Sequence, residues 1–182
     1  LQLLTVRSQV QAFLDHCEVS IPWDRYSVIG FSSSFQQTMA TLALAKRVKN
    51  RFPSKPIVLG GANAEGAMGL ELLRLYPWID VVVGGEAEHV VPGVVTALLR
   101  GEPVPAWPGV QARKMARLSF PLPSPQPLDQ LPHLDYSDFA ADRGRCPNTA
   151  ANYRTVALFE SARGCWWGAK HHCTFCGLNG AS

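Results

Sequence analysis

The chain has 182 residues, 47% of them hydrophobic and 17% charged, a balance that excludes intrinsic disorder and allows one domain or slightly more. Lys and Arg total 17 against 14 Asp and Glu, and at a net charge of +3, with the basic residues scattered, nothing points to a nucleic-acid partner. No apolar run reaches the roughly 18 residues that a spanning helix needs, so no membrane span is expected.

Residues 3–17 place Leu3, Val6, Val10, Phe13, Leu14 and Cys17 on one face of an amphipathic helix, which Pro22 and Trp23-Asp24 end. Cys17 lies on that apolar face and is expected in the core. Residues 26–32, Tyr-Ser-Val-Ile-Gly-Phe-Ser, read as a buried strand, with Ser32, Ser33 and Ser34 at its C-terminal end. Residues 36–52 read as a helix with Met39, Leu42, Ala43, Ala45 and Val48 inside. Its Lys46, Arg47, Lys49 and Arg51 lie toward the C-terminal end, where cations suit the helix dipole.

The pattern repeats. Residues 55–59 form a strand, Gly60-Gly61-Ala62-Asn63 a tight loop, and 64–76 a helix ended by Pro77. Residues 78–83 form a third strand, Gly84-Gly85-Glu86 a second glycine loop, and 88–100 a helix ended by Gly101. Glu86 and Glu88 read as helix N-terminal charges. Strand, small-residue loop and helix in succession predict an α/β fold: a doubly wound parallel sheet with helices on both faces and right-handed crossovers. Such a sheet normally opens with a strand, whereas this chain opens with a helix at Leu1, so the expectation is an N-terminally truncated domain.

From Pro103 prolines crowd the chain, and they cannot sit inside central strands or helices. Residues 109–115 read as a short edge strand. The expected organisation is an α/β domain over 1–116, a Pro-rich linker over 117–150, and a second unit over 151–182 that is also cut short. In the linker, Leu128, Leu131, Leu134, Tyr136 and Phe139 call for burial against a neighbour. In the second unit, residues 155–160 read as a strand and Ser161-Ala-Arg-Gly164 as the turn out of it.

The cysteines are Cys17, Cys146, Cys165, Cys173 and Cys176. An odd number, with three packed between 165 and 176, argues against a secreted disulfide framework. It argues for metal or redox chemistry in a reducing, cytoplasmic compartment. Cys146, flanked by Arg143 and Arg145, reads as a surface thiol. The other three are spaced C-x7-C-x2-C on one loop, a soft-donor set that suits an iron–sulfur cluster or zinc. Zinc would take His171 or His172 as fourth ligand, although His172 is adjacent to Cys173. Three thiolates on a four-iron cluster leave one iron open for a substrate or cofactor.

A strand ending Glu-Ser-Ala-Arg-Gly, then Cys165, then Cys173-Thr-Phe-Cys176-Gly, resembles the radical S-adenosylmethionine enzymes. The common pattern there is CxxxCxxC, and this chain carries four more residues between its first two cysteines. Gly-Cys165-Trp-Trp-Gly before the spaced Cys-Thr-Phe-Cys-Gly looks like the subgroup that matures ribosomally made peptides, which tolerates the longer loop. That subgroup carries an N-terminal cobalamin-binding domain and is regarded as C-methylating. The resemblance implies the first strand and cluster loop of a (β/α) barrel over 151–182, with Cys165, Cys173 and Cys176 ligating a [4Fe–4S] cluster. The open iron would hold S-adenosylmethionine, Phe175 would lie near its adenine or pack under the loop, and Trp166 and Trp167 would shield the cluster or simply pack. It also implies a peptide substrate, a reductant protein, and methyl transfer from cobalamin to an unactivated carbon after hydrogen abstraction by a 5′-deoxyadenosyl radical. A chain holding only the start of the barrel is expected to be inactive alone.

Ligands of open α/β sheets bind beyond the C-terminal ends of the strands. Ser32, Ser33 and Ser34, then Gly60, Gly61 and Ala62, then Gly84, Gly85 and Glu86 mark those ends and are similar to the serine and Gly-Gly positions of cobalamin-binding domains. The Asp-x-His-x-x-Gly motif that supplies cobalt with a histidine in some such domains is absent. Gly84-Gly85-Glu86 also spells the Gly-Gly-Glu by which radical enzymes hold the methionyl amino group, but it precedes the cysteines and is assigned to the cobalamin side. Two readings stand beside this one. Cobalamin could serve a reaction other than methyl transfer. Alternatively, the chain is a non-catalytic α/β binding module with a structural zinc or regulatory Fe–S loop, although it lacks the phosphate fingerprints GxGxxG and GxxxxGK[ST].

Overall fold

In the computed structural model, residues 2–113, 115, 127–158, 160, 163, 165–168, 170–171 and 173–175 are described. The chain divides into two units, Leu1–Ser124 and Pro125–Ser182.

In the first unit the short apolar runs become strands: β1 (Ile29–Ser32), β2 (Ile57–Gly60), β3 (Val81–Val83) and β4 (Val110–Ala112). They form one sheet in the order β1-β2-β3-β4. β1 pairs with β2, and β2 with β3, in parallel; β4 closes the sheet antiparallel to β3. Phe31 lies opposite Leu59, Leu59 opposite Val82, and Val82 opposite Gln111, one row of side chains across the sheet.

Side chains alternate between the faces of a strand, so this sheet carries two cores. On one face Ile29, Ile57, Leu59 and Val82 pack with Leu42, Ala45 and Val48 of α2 (Thr38–Arg51) and Leu73 of α3 (Gly66–Leu75). On the other, Val58, Val81, Val83, Val110 and Ala112 pack with Val94 of α4 (Val91–Arg100) and with Val90, its N-cap. The architecture is α/β, with a mostly parallel sheet covered by helices on both faces, and is compatible with a Rossmann-like fold. The sheet departs from the expected doubly wound parallel form in two respects: its four strands follow chain order with no reversal, and the last is antiparallel. The prolines explain the second departure. Pro103 and Pro105 keep residues 102–107 out of helix and strand, so the chain returns along the sheet after α4. It enters β4 where β3 leaves, with Gly84 N–H donating to Gly109 O at 2.9 Å.

Asp80 fixes the opposite end of β2 and β3. Its carboxylate accepts from Lys49 Nζ at 2.8 Å and from the Ile57 amide at 2.7 Å. Arg113 donates to the carbonyls of Tyr76 and Ile79 near the end of α3. The first helix, α1 (Gln2–Ser20), rests on α2 through Leu14, which is buried, and through Arg47, which pairs with Asp15 and Glu18. Its other apolar positions are not core: Val6, Val10 and Phe13 are 60%, 49% and 63% exposed. Amphipathic spacing established the helix but not what covers its apolar stripe, and among the described residues that part of the stripe stays bare. Cys17 is half-buried. Met39, expected inside α2, is 70% exposed in the first turn.

The second unit holds α5 (Ser137–Arg145) and α6 (Pro147–Asn152), helices that the linker reading over 117–150 did not foresee. Leu134, Tyr136 and Phe139, expected to be buried, are exposed. The strand expected at 155–160 is not formed over the described residues 154–158, where Val156 and Leu158 are exposed. A strand needs a neighbour for its backbone groups, and the described residues of this unit supply none. The Tyr136 hydroxyl donates to Leu158 O instead. Residues 117–126 of the linker reading, residue 116 before it, and Phe159 lie outside the described residues.

Candidate functional site

The C-terminal ends of the parallel strands β1, β2 and β3 lie along one edge of the sheet, where the small-residue loops were expected to receive a ligand. The loops after β1 and β2 are locked together there. Ser33 is fully buried. Its N–H donates to Gly60 O at 2.8 Å, and its hydroxyl lies 3.3 Å from Thr38 Oγ1. Asn63 crosses from the second loop: its Nδ2 donates to Ser33 Oγ at 3.2 Å, Phe35 O at 2.9 Å and Thr38 Oγ1 at 2.9 Å. Its own N–H donates to Ser33 O at 3.1 Å.

Gly61 is dictated by this lock. It sits at φ +90°, and a Cβ there would lie 2.5 Å from Ser33 O and 2.8 Å from Ser33 N. The serines therefore divide by role. Ser33 holds the loop from within. Ser34 caps the short 3-10 turn Phe35–Gln37 in a reciprocal capping box, its N–H donating to Gln37 Oε1 at 2.9 Å. Ser32 is exposed at the strand end. Gly60 is half-buried and Ala62 exposed. In the third loop Gly84 is buried, Gly85 takes φ +75°, and Glu86 is half-buried.

Three large apolar side chains are exposed in the segments at this edge, among polar ones. Phe35, one residue past the serines, is 88% exposed, with Met39 at 70% and Met68, in the first turn of α3, at 55%. Phe35 also has φ +48°, in the left-handed region and unique in this among the described non-glycine residues. Sequence reasoning missed Phe35, Thr38 and the clasp made by Asn63. An aromatic set inside the polar stretch Ser-Ser-Ser-Phe-Gln-Gln was the available signal for the first of them. Small residues, a hydroxyl and a flexible apolar rim together can receive a large flat ligand that carries polar substituents, so the chemistry of this edge fits a corrinoid.

In the second unit Cys165 is exposed, Cys173 half-buried and Phe175 91% exposed. Cys176 and His172 lie outside the described residues. The described residues between the first two cysteines lie in turns and a bend. The Gly168 amide lies 3.4 Å from Cys165 Sγ as a hydrogen-bond donor, and Lys170 and His171 amides donate to Trp167 O at 3.0 and 2.7 Å. Trp166 and Trp167 meet edge to face with centroids 5.7 Å apart, Trp167 meets His171 at 4.7 Å, and Lys170 Nζ stands 5.8 Å from the Trp166 ring centre. The donors present fit a metal–thiolate site in their chemistry. Among the described residues no group of three His, Cys, Asp or Glu is assembled, and the motif's third thiol is outside them.

No family model matches this chain, and no curated protein matches it either. No described helix is long and apolar enough to cross a membrane.

Proposed function

We propose that this chain belongs to a cobalamin-dependent radical S-adenosylmethionine enzyme that C-methylates an unactivated carbon of a ribosomally made peptide. The observation that carries the reading is one chain holding two features: a three-cysteine loop with Cys-Thr-Phe-Cys-Gly, and before it a mostly parallel α/β sheet whose strand ends are small, hydroxylated and apolar-rimmed. When bound, the [4Fe–4S] cluster with S-adenosylmethionine supplies hydrogen abstraction and cobalamin supplies the methyl group.

Cys165, Cys173 and Cys176 would hold the cluster as thiolates. The Gly168 amide would keep a hydrogen bond on Cys165 Sγ, and such bonds tune a cluster's potential. Trp166 and Trp167 would exclude water on one side of the loop, and Phe175 would offer a ring to the adenine. At the sheet edge, Ser32, Gly60, Ala62, Gly84 and Gly85 would let the corrinoid approach the backbone, with Ser33 and Ser34 fixing the loop that carries Ser32. The remaining partners on this reading are the peptide and a protein that delivers electrons.

The test is reductive cleavage of S-adenosylmethionine. The iron-loaded, reduced full-length enzyme should release 5′-deoxyadenosine, and Cys165→Ala should abolish the release. With the cognate peptide present, the product should carry one added methyl group. An iron-loaded full-length enzyme that releases no 5′-deoxyadenosine would overturn the enzymatic reading in favour of a regulatory cluster. A chain that takes zinc, with His171 as a fourth ligand, would replace it with a structural loop.

A further inference from the structure

Phe35 is held at a strained backbone position, φ +48°. A non-glycine residue in the left-handed region is strained, and such strain persists only when the surroundings impose it. Here Asn63 imposes it by donating to Phe35 O, while Ser34 and Gln37 cap the turn that Phe35 opens. The ring itself is 88% exposed, so packing does not repay the strain. The clasp sets an aromatic face outward at the C-terminal end of β1. Two exposed methionines belong to the same segments: Met39 lies four residues on, and Met68 is in the first turn of α3, the helix that follows β2.

We infer that Phe35 is an apolar stacking contact for the flat macrocycle of the corrinoid, held in its outward pose by Asn63, with Met39 and Met68 as the adaptable rim. This deepens the function proposed above and rests on it. Aromatic rings prefer offset-stacked faces, and thioethers adjust to irregular apolar outlines. The hydroxyl of Ser32, exposed on the same loop, suits a polar substituent at the edge of the ring.

The experiment titrates the chain with hydroxocobalamin and follows the visible spectrum, alongside thermal unfolding without ligand. Three variants are compared: Phe35→Gly, Phe35→Trp and Asn63→Ala. Phe35→Gly removes both the ring and the strain, so the melting temperature should rise while affinity falls about tenfold. Phe35→Trp should keep affinity within about threefold, because it keeps a stacking face. Asn63→Ala should lose affinity with the ring still present. Cobinamide, which lacks the nucleotide tail, should show the same dependence on Phe35, since the contact is with the macrocycle. Binding by the parent chain that is unaffected in Phe35→Gly would overturn this inference and leave the cobalamin reading intact. A parent chain that binds no hydroxocobalamin would overturn the cobalamin reading, and this inference with it.

Discussion

Asn63 carries more of the site than any residue whose type is associated with a cofactor. One amide group ties Ser33, Phe35 and Thr38, and through them two loops that are about thirty residues apart in sequence. Asn63→Ala should therefore lower stability by about 2 kcal/mol, measured by chemical unfolding, because it leaves part-buried acceptors without their donor. An unchanged midpoint would show that the clasp is not holding the loops. The sequence made the small residues at the strand ends legible, since glycine and serine at turns have few other uses. It did not reveal which of them face a ligand. Ser33 reads like Ser32 in the chain, yet one is buried in the clasp and the other exposed, and only the long-range partner Asn63 separates them. Gly61 likewise reads as ligand space, and is in fact required by the backbone of Ser33.

Among the elements, the three β-loop-α repeats were legible because apolar runs, turn residues and helical periodicity agree locally. The ends were less so: β3 was expected from Trp78 and begins at Val81. Helix α3 shows how tertiary packing overrides propensity. An alanine in place of a helical glycine ordinarily gains roughly 1 kcal/mol. At Gly69, however, a Cβ would run into Ala64 O and come within 2.9 Å of Val82 Cγ1. Gly69→Ala should thus destabilise by about 2 kcal/mol, the opposite sign, as α3 is pushed from the sheet. A rise in melting temperature for this variant would contradict the packing of α3 on β3. The exposed stripe of α1 and the strand expected at 155–160, which is not formed over the described residues 154–158, share one cause. Both were inferred from local pattern, while burial and strand pairing are decided by neighbours that the pattern does not contain.

At the scale of the whole molecule, the proposed chemistry needs two kinds of site in one chain, and they differ in how much of each the sequence carries. The cysteine loop is local. Its donors fall between 165 and 176, and its aromatic and hydrogen-bond contacts are made by neighbours within six residues of Cys165, so spacing alone made it readable. The sheet edge is assembled from residues 32–39, 60–68 and 84–86, and its apolar rim emerged only once three strands were laid side by side. The claim that both sites are cofactor sites is tested most directly by composition. The chain should be purified without oxygen from cells supplied with iron and hydroxocobalamin, and iron, sulfide, cobalt and zinc measured per protein. About four irons and four sulfides are expected with cobalt near one, and loss of the iron and sulfide but retention of cobalt when Cys165, Cys173 and Cys176 are all replaced by alanine. Zinc in place of iron, with no cobalt, would contradict the claim at both sites.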